Sequence, residues 1–440
     1  MNRAIRCALL LASGYVGSGF VCAPARAQSA AQKQGAPKAK KLANPLNDLL
    51  EEAQRDISRN DYQAALEPLQ KFIAEKPDFA YAHFQLGYAY TALQRWEEAR
   101  AEYRRAINLD PKLAEAQLNL GILMLDREPA EAVGPLRKAV ELLPAQSRPR
   151  YLLARALERS GDVNGALDAL EGAERLDPRD YETLFAHAAA LLRANRAAEA
   201  EAKFRAALTL QPDSAPARLG LARSLDAQQK PEAAEAYRGY LELQPDDRDA
   251  LQQVARIAFR EKQYDDALAA LNRADAGQTP TIHSLRLRAD IHIAQSDWDD
   301  AIATLRRALA MAPRDVELQA GLGRVYLQQR NFPAAEQELK AALQIDSAYL
   351  PAWKDLSSTY YLSGNCPGAL AALDEIARHE TPGAGAWFVR ALCYDKLGRA
   401  QDAINAYQKF LDLDHNEHEN QVWQAHQRIQ VLRKTLEKKR

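Results

Sequence analysis

Alanine returns along this chain at a nearly constant stride. Ala65, Ala99, Ala132, Ala166, Ala200, Ala233, Ala267, Ala301, Ala335, Ala369 and Ala403 are separated by 34, 33, 34, 34 and 33 residues, then by 34 five times. A second small residue stands twelve positions upstream of each, or eleven in the two 33-residue units. These are Ala53, Gly87, Gly121, Ala154, Ala188, Ala222, Ala255, Ala289, Gly323, Ser357 and Ala391. Seven positions downstream alanine is usual again, at Ala106, Ala139, Ala173, Ala207, Ala274, Ala308 and Ala342. Proline closes most units, although Pro280 and Pro382 come one residue late and Ser347 stands where a proline is expected. The alanines keep register while the prolines slip. Packing therefore sets the period, and the loops absorb the slack. A chain of 440 residues would ordinarily suggest about three domains. A fixed period in this range argues instead for stacked copies of one supersecondary unit.

The stride has a physical reading. Two helices whose backbones nearly touch need small side chains at the crossing, because protein interiors pack at crystal-like density. A bulky residue there overpacks, at a cost of ~1–3 kcal/mol. Leu86 and Tyr90 beside Gly87, and Leu322 and Tyr326 beside Gly323, are placed to fill the flanking space. Proline ends the second helix of each unit. Polar or glycine breaks such as Ser160–Asp162 and Ser363–Asn365 mark the turn within a unit. Alanine, leucine, glutamate and arginine dominate the chain, which favours helix. No convincing run of alternating β-branched residues argues for sheet. The expected class is all-α.

The pattern resembles the tetratricopeptide repeat (TPR), a 34-residue helix-turn-helix family. In the unit from Ala80 to Lys112 the matching residues are Leu86, Gly87, Tyr90, Trp96, Ala99, Tyr103, Ala106 and Pro111. The resemblance covers residues 46–417 in eleven units. It implies an α-solenoid, a right-handed superhelix of helix pairs. Departures are local. The units starting near Leu113 and Ala215 each lack one residue, assigned here to the turn. The last two units carry Ile376 and Phe410 where alanine is usual, which suggests looser packing there.

The ends differ from the array. Arg3 and Arg6, an apolar stretch from Cys7 to Cys22, and the small residues Ala25 and Ala27 read as a secretory signal peptide over residues 1–27, cut before Gln28. The apolar stretch is short and interrupted, where a membrane span needs about 20 apolar residues. Cys22 invites a lipid anchor, but Val21 before it is not the small residue such a site prefers. Residues 28–45 are polar, alanine-rich and basic, and read as a flexible linker. Over residues 418–440, Val422, Ala425 or His426, Ile429, Leu432 and Leu436 share one helical face, and the other face is expected to be polar. This fits a helix that caps the end of a stack. Its basic ending either meets an anionic partner or complements the helix dipole.

In the TPR family, first helices line an inner, concave face, and the resemblance assigns recognition to set positions on them. Tyr81, Phe84 and Tyr88 occupy such positions in one unit. They form either an exposed aromatic strip, a common kind of interface anchor, or packing against the neighbouring unit. Further along, the innermost ring reads Arg155, Arg159, Ala189, Arg193, Arg223, Ala227, Arg256, Arg260, Asp290, Ala294, Arg324 and Gln328, seven arginines against one acid. Arginine grips planar carboxylates with two parallel hydrogen bonds. The row either holds an acidic or C-terminal carboxylate ligand or is neutralised by Glu158, Glu182, Asp226, Asp249 and Glu317 at neighbouring inward positions. The asparagine of the two-carboxylate clamp found in chaperone-binding family members has no counterpart here.

Little in the sequence points to chemistry. Eight histidines are scattered with no HExxH pair, and no phosphate loop or serine elbow is present. The pair His415 and His418 is a weak metal motif that a helix start explains better. No catalytic residue, metal or cofactor is expected. Formal net charge is −1, so nothing demands nucleic acid or an anionic membrane. After loss of the signal peptide, Cys366 and Cys393 remain, in adjacent units. An oxidising compartment permits a bridge between them, worth ~3 kcal/mol in the chain-entropy model. They equally suit two small buried hydrophobes. Together these features describe an exported, non-catalytic scaffold that binds a protein or extended peptide, of open oligomeric state. The periplasm is the expected compartment, with secretion or membrane association through a partner as alternatives. An accessory subunit that recruits substrate to an envelope enzyme or a polysaccharide export or secretion complex is the rival reading, since exported TPR proteins of polysaccharide secretion share this plan.

Overall fold

The computed structural model describes residues 45–415 and 417–439. The expected signal peptide, with Cys7 and Cys22, and nearly all of the basic linker lie outside the described residues. Among the described residues there are 23 helices and no strand. They form two compact units that divide between Gln228 and Gln229.

The first unit holds α1 (Pro45–Ser58), α2 (Leu66–Glu75), α3 (Ala80–Ala92), α4 (Trp96–Leu109), α5 (Ala114–Met124), α6 (Pro129–Leu142), α7 (Ser147–Arg159), α8 (Val163–Leu176), α9 (Tyr181–Arg193), α10 (Ala197–Leu210) and α11 (Ala215–Ala227). The second holds α12 (Ala233–Leu241), α13 (Arg248–Arg260), α14 (Tyr264–Ala274), α15 (Ile282–Gln295), α16 (Trp298–Met311), α17 (Val316–Gln328), α18 (Phe332–Ile345), α19 (Leu350–Leu362), α20 (Cys366–His379), α21 (Ala384–Lys396), α22 (Ala400–Leu413) and α23 (Glu419–Lys439). Odd-numbered helices up to α21 are the first helices of the repeats, and even-numbered ones the second helices. Within each compact unit a helix packs on its neighbours in sequence, so each is a stretch of α-solenoid.

The alanine stride is the packing seam. All eleven register alanines, from Ala65 to Ala403, are 0% exposed. Their upstream partners are just as enclosed where a side chain exists, from Ala53 to Ala391. The glycines among those partners show why. A Cβ on Gly87 would lie 2.8 Å from Cδ1 of Tyr103, one on Gly121 2.4 Å from Cγ of Leu136, and one on Gly323 2.6 Å from Cγ of Leu339. In each case the large residue comes from the second helix of the same repeat. Leu86, Tyr90, Leu322 and Tyr326 fill the flanks and are buried.

The turn inside each repeat is made the same way almost throughout. The chain leaves the first helix through one left-handed residue: Asn60, Gln94, Gly161, Asn195, Gln229, Lys262, Ser296, Arg330, Gly364 or Gly398. In most of these turns the next amide reaches back over six residues, as Arg95 N to Tyr90 O at 2.9 Å and Asn331 N to Tyr326 O at 2.9 Å. This is the Schellman closure, which satisfies carbonyls that the helix end would leave unpaired. The repeat with Gly121 is the exception. Its missing residue removes the left-handed step, and Glu128 N bonds directly to Met124 O at 2.8 Å.

The other short repeat differs from expectation. Its turn keeps a left-handed Gln229 at φ 56°, and the helix after it is what shortens. α12 has 9 residues, against 14 in α10, and Pro231 stands before its start. Second helices close by passing into extended backbone, as at Lys76 (φ −134°, ψ 74°) and Asp110 (φ −136°, ψ 93°). A following proline favours that conformation. Asp346 adopts it before Ser347 as well, so proline is not required.

Two expectations for the C-terminal end are corrected. Ile376 and Phe410 do not loosen the packing. Both are buried, and the Phe410 ring sits 4.8 Å from that of Phe388. The terminal helix α23 packs on α22 through Ala425, Ile429 and Leu432, with Ala425 rather than His426 facing inward. Arg428 fastens it to α21, its Nε and Nη2 each donating to the Asp395 carboxylate at 2.7 Å. The outer face of α23 is not uniformly polar, because Trp423 and Val431 are exposed.

The seam makes one substitution act with opposite signs at two glycines. Gly121→Ala forces a methyl into Leu136 and is expected to destabilise by about 1–2 kcal/mol, even after the helix-propensity gain. Gly134→Ala, in α6 with nothing within 4 Å of its Cβ, is expected to stabilise by about 0.5–1 kcal/mol. Urea unfolding followed by far-UV circular dichroism measures both.

Candidate interaction surface

In both compact units the first helices of successive repeats approach one another. In the first, α3 meets α5, α5 meets α7 and α9 meets α11. In the second, α13 meets α15 and α17 meets α19. Second helices of successive repeats come no closer than marginal contact. The first helices therefore form the crowded, inner side of each unit, and their outward-pointing residues are the candidate site.

The aromatic residues of α3 divide between the two readings. Tyr81 and Tyr88 are 39% and 38% exposed. Phe84 between them is half-buried and packs its ring 6.1 Å from that of Tyr103. Tyr81 leans on Phe84 at 5.7 Å, and Tyr88 meets the edge of Tyr62 at 6.0 Å. The two tyrosines are thus open but held from behind. Leu118 and Ile122 of α5, half-buried, follow on the next repeat.

The arginine row is not uniform. Arg159 pairs with Asp126 and donates to the Leu125 carbonyl at 3.1 Å. Arg193 pairs with Glu158. Each is thereby neutralised by an acid of the preceding repeat. Arg155 has no acid partner among the described residues. Its guanidinium lies 6.0 Å from the centre of the Tyr151 ring, and that of the exposed Arg148 lies 5.3 Å from the same ring. Burial pushes the Tyr151 hydroxyl up, with Arg155 pulling against it and Glu182 adding to it. Arg223 is exposed and has no ion-pair partner among the described residues.

In the second unit the row is mostly a ladder of alternating charge. Arg286 pairs with Asp315 and, at 2.9 Å, with Glu317. Arg324 donates from Nε to Asp355 at 2.8 Å. Asp290 lies within reach of both arginines. Burial pushes the Asp290 and Asp355 carboxyls up, and the arginines pull them back only in part. Arg256 donates to Gln253 at 2.9 Å, and Arg260 is exposed. The neutralising acids were only partly identifiable from sequence. Glu158, one of the inward acids named from the sequence, serves Arg193. Glu317 serves Arg286 instead, while Asp126 and Asp355 were unforeseen.

Sequence reasoning also missed buried polar ties. The Asp275 carboxylate is buried and receives Arg248 at 3.1 Å, Arg288 at 3.2 Å and the Ser284 hydroxyl at 2.6 Å. Arg248 also donates to the Thr279 carbonyl at 2.8 Å, fixing the loop whose proline arrives late. His83 bridges Glu102 at 2.6 Å and the Pro77 carbonyl at 2.9 Å. A lone acid at a helix end gives no sequence signal for such a network. Among the described residues no group of three or more histidine, cysteine or acidic side chains could hold a metal. His418 bonds to Asp414, not to His415. Cys366 and Cys393 are free thiols, both buried.

The ladder yields a pH-dependent prediction. The folded chain holds the Asp355 proton more tightly than the unfolded chain. This carboxyl therefore favours folding at low pH, and the benefit is lost as pH rises through its raised value. Arg324→Met removes the opposing charge. It is expected to cost about 1 kcal/mol at pH 7, discounted for the half-exposed guanidinium, and less as pH falls toward about 4. Adding Asp355→Asn should remove both the cost and its pH dependence in urea unfolding.

Comparison with known proteins agrees with this architecture. Models of the tetratricopeptide repeat match residues 87–126, 151–215, 292–358 and 355–417. A model of anaphase-promoting complex, cyclosome, subunit 3 matches residues 228–308. No curated protein matches the chain. Among solved structures, YrrB, described as a TPR protein with an unusual peptide-binding site, is 25% identical. It covers 42% of this chain and 95% of its own, with a TM-score of 0.40. MamA from Desulfovibrio magneticus RS-1 is 20% identical and covers 39% of this chain and 98% of its own, with a TM-score of 0.37. Yeast Tom70 is 12% identical and covers 89% of this chain and 96% of its own, with a TM-score of 0.36. With the matched repeats and the register of buried small residues taken together, the chain belongs to the tetratricopeptide repeat family.

Proposed function

We propose that the chain is an exported, non-catalytic scaffold that holds a segment of a partner protein against the first helices of residues 45–228. TPR proteins generally mediate protein–protein interactions. The observation that carries the reading here is the contrast along one face. Tyr81 and Tyr88 are open, and Arg148 and Arg155 flank Tyr151 without an acid partner among the described residues, while Arg159 and Arg193 are neutralised from within. Rigid tyrosines and unpaired guanidinium groups are the side chains that anchor interfaces most often. The matching partner segment presents an apolar side chain to the tyrosines and a carboxylate to the arginines. The second unit, with Arg324 and Arg286 already paired, supplies less free charge for such a ligand.

The export reading rests on residues 1–27, with their arginines, apolar core and small residues before Gln28. No helix among the described residues is long and apolar enough to cross a membrane. The periplasm is the compartment this combination favours.

Three measurements test the proposal. Pulldown from cell-envelope extract should recover a partner that is lost when Arg148, Arg155 and Arg223 are changed to Glu, or when Tyr81 and Tyr88 are changed to Ala, with the circular dichroism spectrum unchanged. Retention of the same partner by both variants would reject the inner-face assignment. Protein recovered from the envelope should begin at Gln28, and an intact Met1 there would reject the export assignment. Turnover of a peptide or glycan by the purified chain would overturn the non-catalytic reading.

A further inference from the structure

Cys366 and Cys393 meet at one seam. Cys366 is the first residue of α20, after the turn through Gly364, and Asn365 caps that helix by accepting from the Gly368 amide at 3.0 Å. Cys393 lies inside α21, which packs on α20. The thiols are 1% and 0% exposed and share one apolar cluster with Leu356, Tyr360 and Leu370. Within that cluster the Cys366 side chain lies close enough to act on the Cys393 thiol. The two register positions concerned are filled differently at other junctions, by Trp298 with Val325 and by Phe332 with Thr359. Only this junction places sulfur on both sides.

We infer that Cys366 and Cys393 are an oxidation site, where a disulfide joins the second helix of one repeat to the first helix of the next. Two cysteines buried in one cluster on packed helices can bridge with little rearrangement. The reaction is thiol–disulfide exchange with a small disulfide. The thiolate of Cys366 attacks, the small disulfide's S–S bond breaks, and one small thiol leaves. Cys393 then loses its proton and attacks Cys366 Sγ in the mixed disulfide. A second small thiol leaves, and the protein S–S bond forms. Two protein thiol protons and one small disulfide are consumed, and two small thiols are released. Cys366 is the entry point because it adjoins a turn, where local opening is least costly. Cys393, in mid-helix, is the resolving thiol. Burial pushes its thiol up to about 12, so exchange in the closed fold is slow at neutral pH and quickens in alkali or sub-denaturing urea. The bridge ties α20 to α21 and raises the resistance of this seam to opening.

The test uses the reduced full-length chain, exposed to excess oxidised glutathione, then alkylated in denaturant and digested with trypsin. The expected product is fragment 355–378 joined to fragment 391–396, two hydrogens lighter than their sum. Recovery of the fragments separately, alkylated or as glutathione adducts, from protein that keeps its helical spectrum would overturn the inference. Mapping by fragment keeps Cys7 and Cys22 from confusing the result. Cys366→Ser and Cys393→Ser should each give only glutathione adducts on the remaining cysteine. Reductant should lower the thermal midpoint of the oxidised protein and leave that of the double serine variant unmoved. An oxidised protein whose midpoint ignores reductant would reject the stapling role.

Discussion

Within each compact unit small residues on first helices lie beneath large ones on second helices, and the rest of the structure depends on that contact. Where the small residue is Gly87, Gly121 or Gly323, the space for even one methyl is already taken by Tyr103, Leu136 or Leu339. Close approach compensates for the little apolar area that an alanine can bury. Many short carbon–carbon contacts, each of order 0.1–0.2 kcal/mol, replace a few large side chains. No single repeat encloses its own seam, so cohesion is shared between neighbours and sums along the stack.

With the seam carried by small apolar residues, charge is free to act on the surface. It is used in two ways. In the second unit, Arg286, Asp290, Arg324 and Asp355 alternate in sign across successive first helices, and the face neutralises itself. In the first unit the pairing reaches Arg159 and Arg193 but stops short of Arg155. Exposed ion pairs add little to stability, so their main effect is to remove binding capacity where they form. The Tyr151 ring keeps its two guanidinium neighbours, for which no ion pair forms among the described residues.

Much of this was legible in the sequence, for a definite reason. A residue that must be small because another backbone lies against it has few substitutes, and its spacing therefore survives as a visible stride. Helix class, repeat length and seam residues followed from that alone. The turns were read less well. Only Gly161, Gly364 and Gly398 announce a left-handed step, while Gln94, Lys262 and Arg330 make the same step with residue types that do not signal it. The shortened α12 was misplaced into a turn because a one-residue deletion does not say which element gives way. The charge ladder was hardest. Long side chains reach acids such as Asp126 and Asp355 in other repeats, and nothing in the local pattern tells which acid each arginine will find. The Asp275 network was invisible for the same reason.

The left-handed turns have a consequence for how the molecule can vary. Such a residue reverses the chain with its backbone alone. The side chains of Gln94, Asn195, Lys262 and Arg330 consequently project into water and contribute nothing to the seams. One rim of each solenoid stretch is built from positions answerable only to solvent and to backbone preference. That rim is free to drift in composition, or to accept a grafted loop, while the stacked interior keeps its pitch.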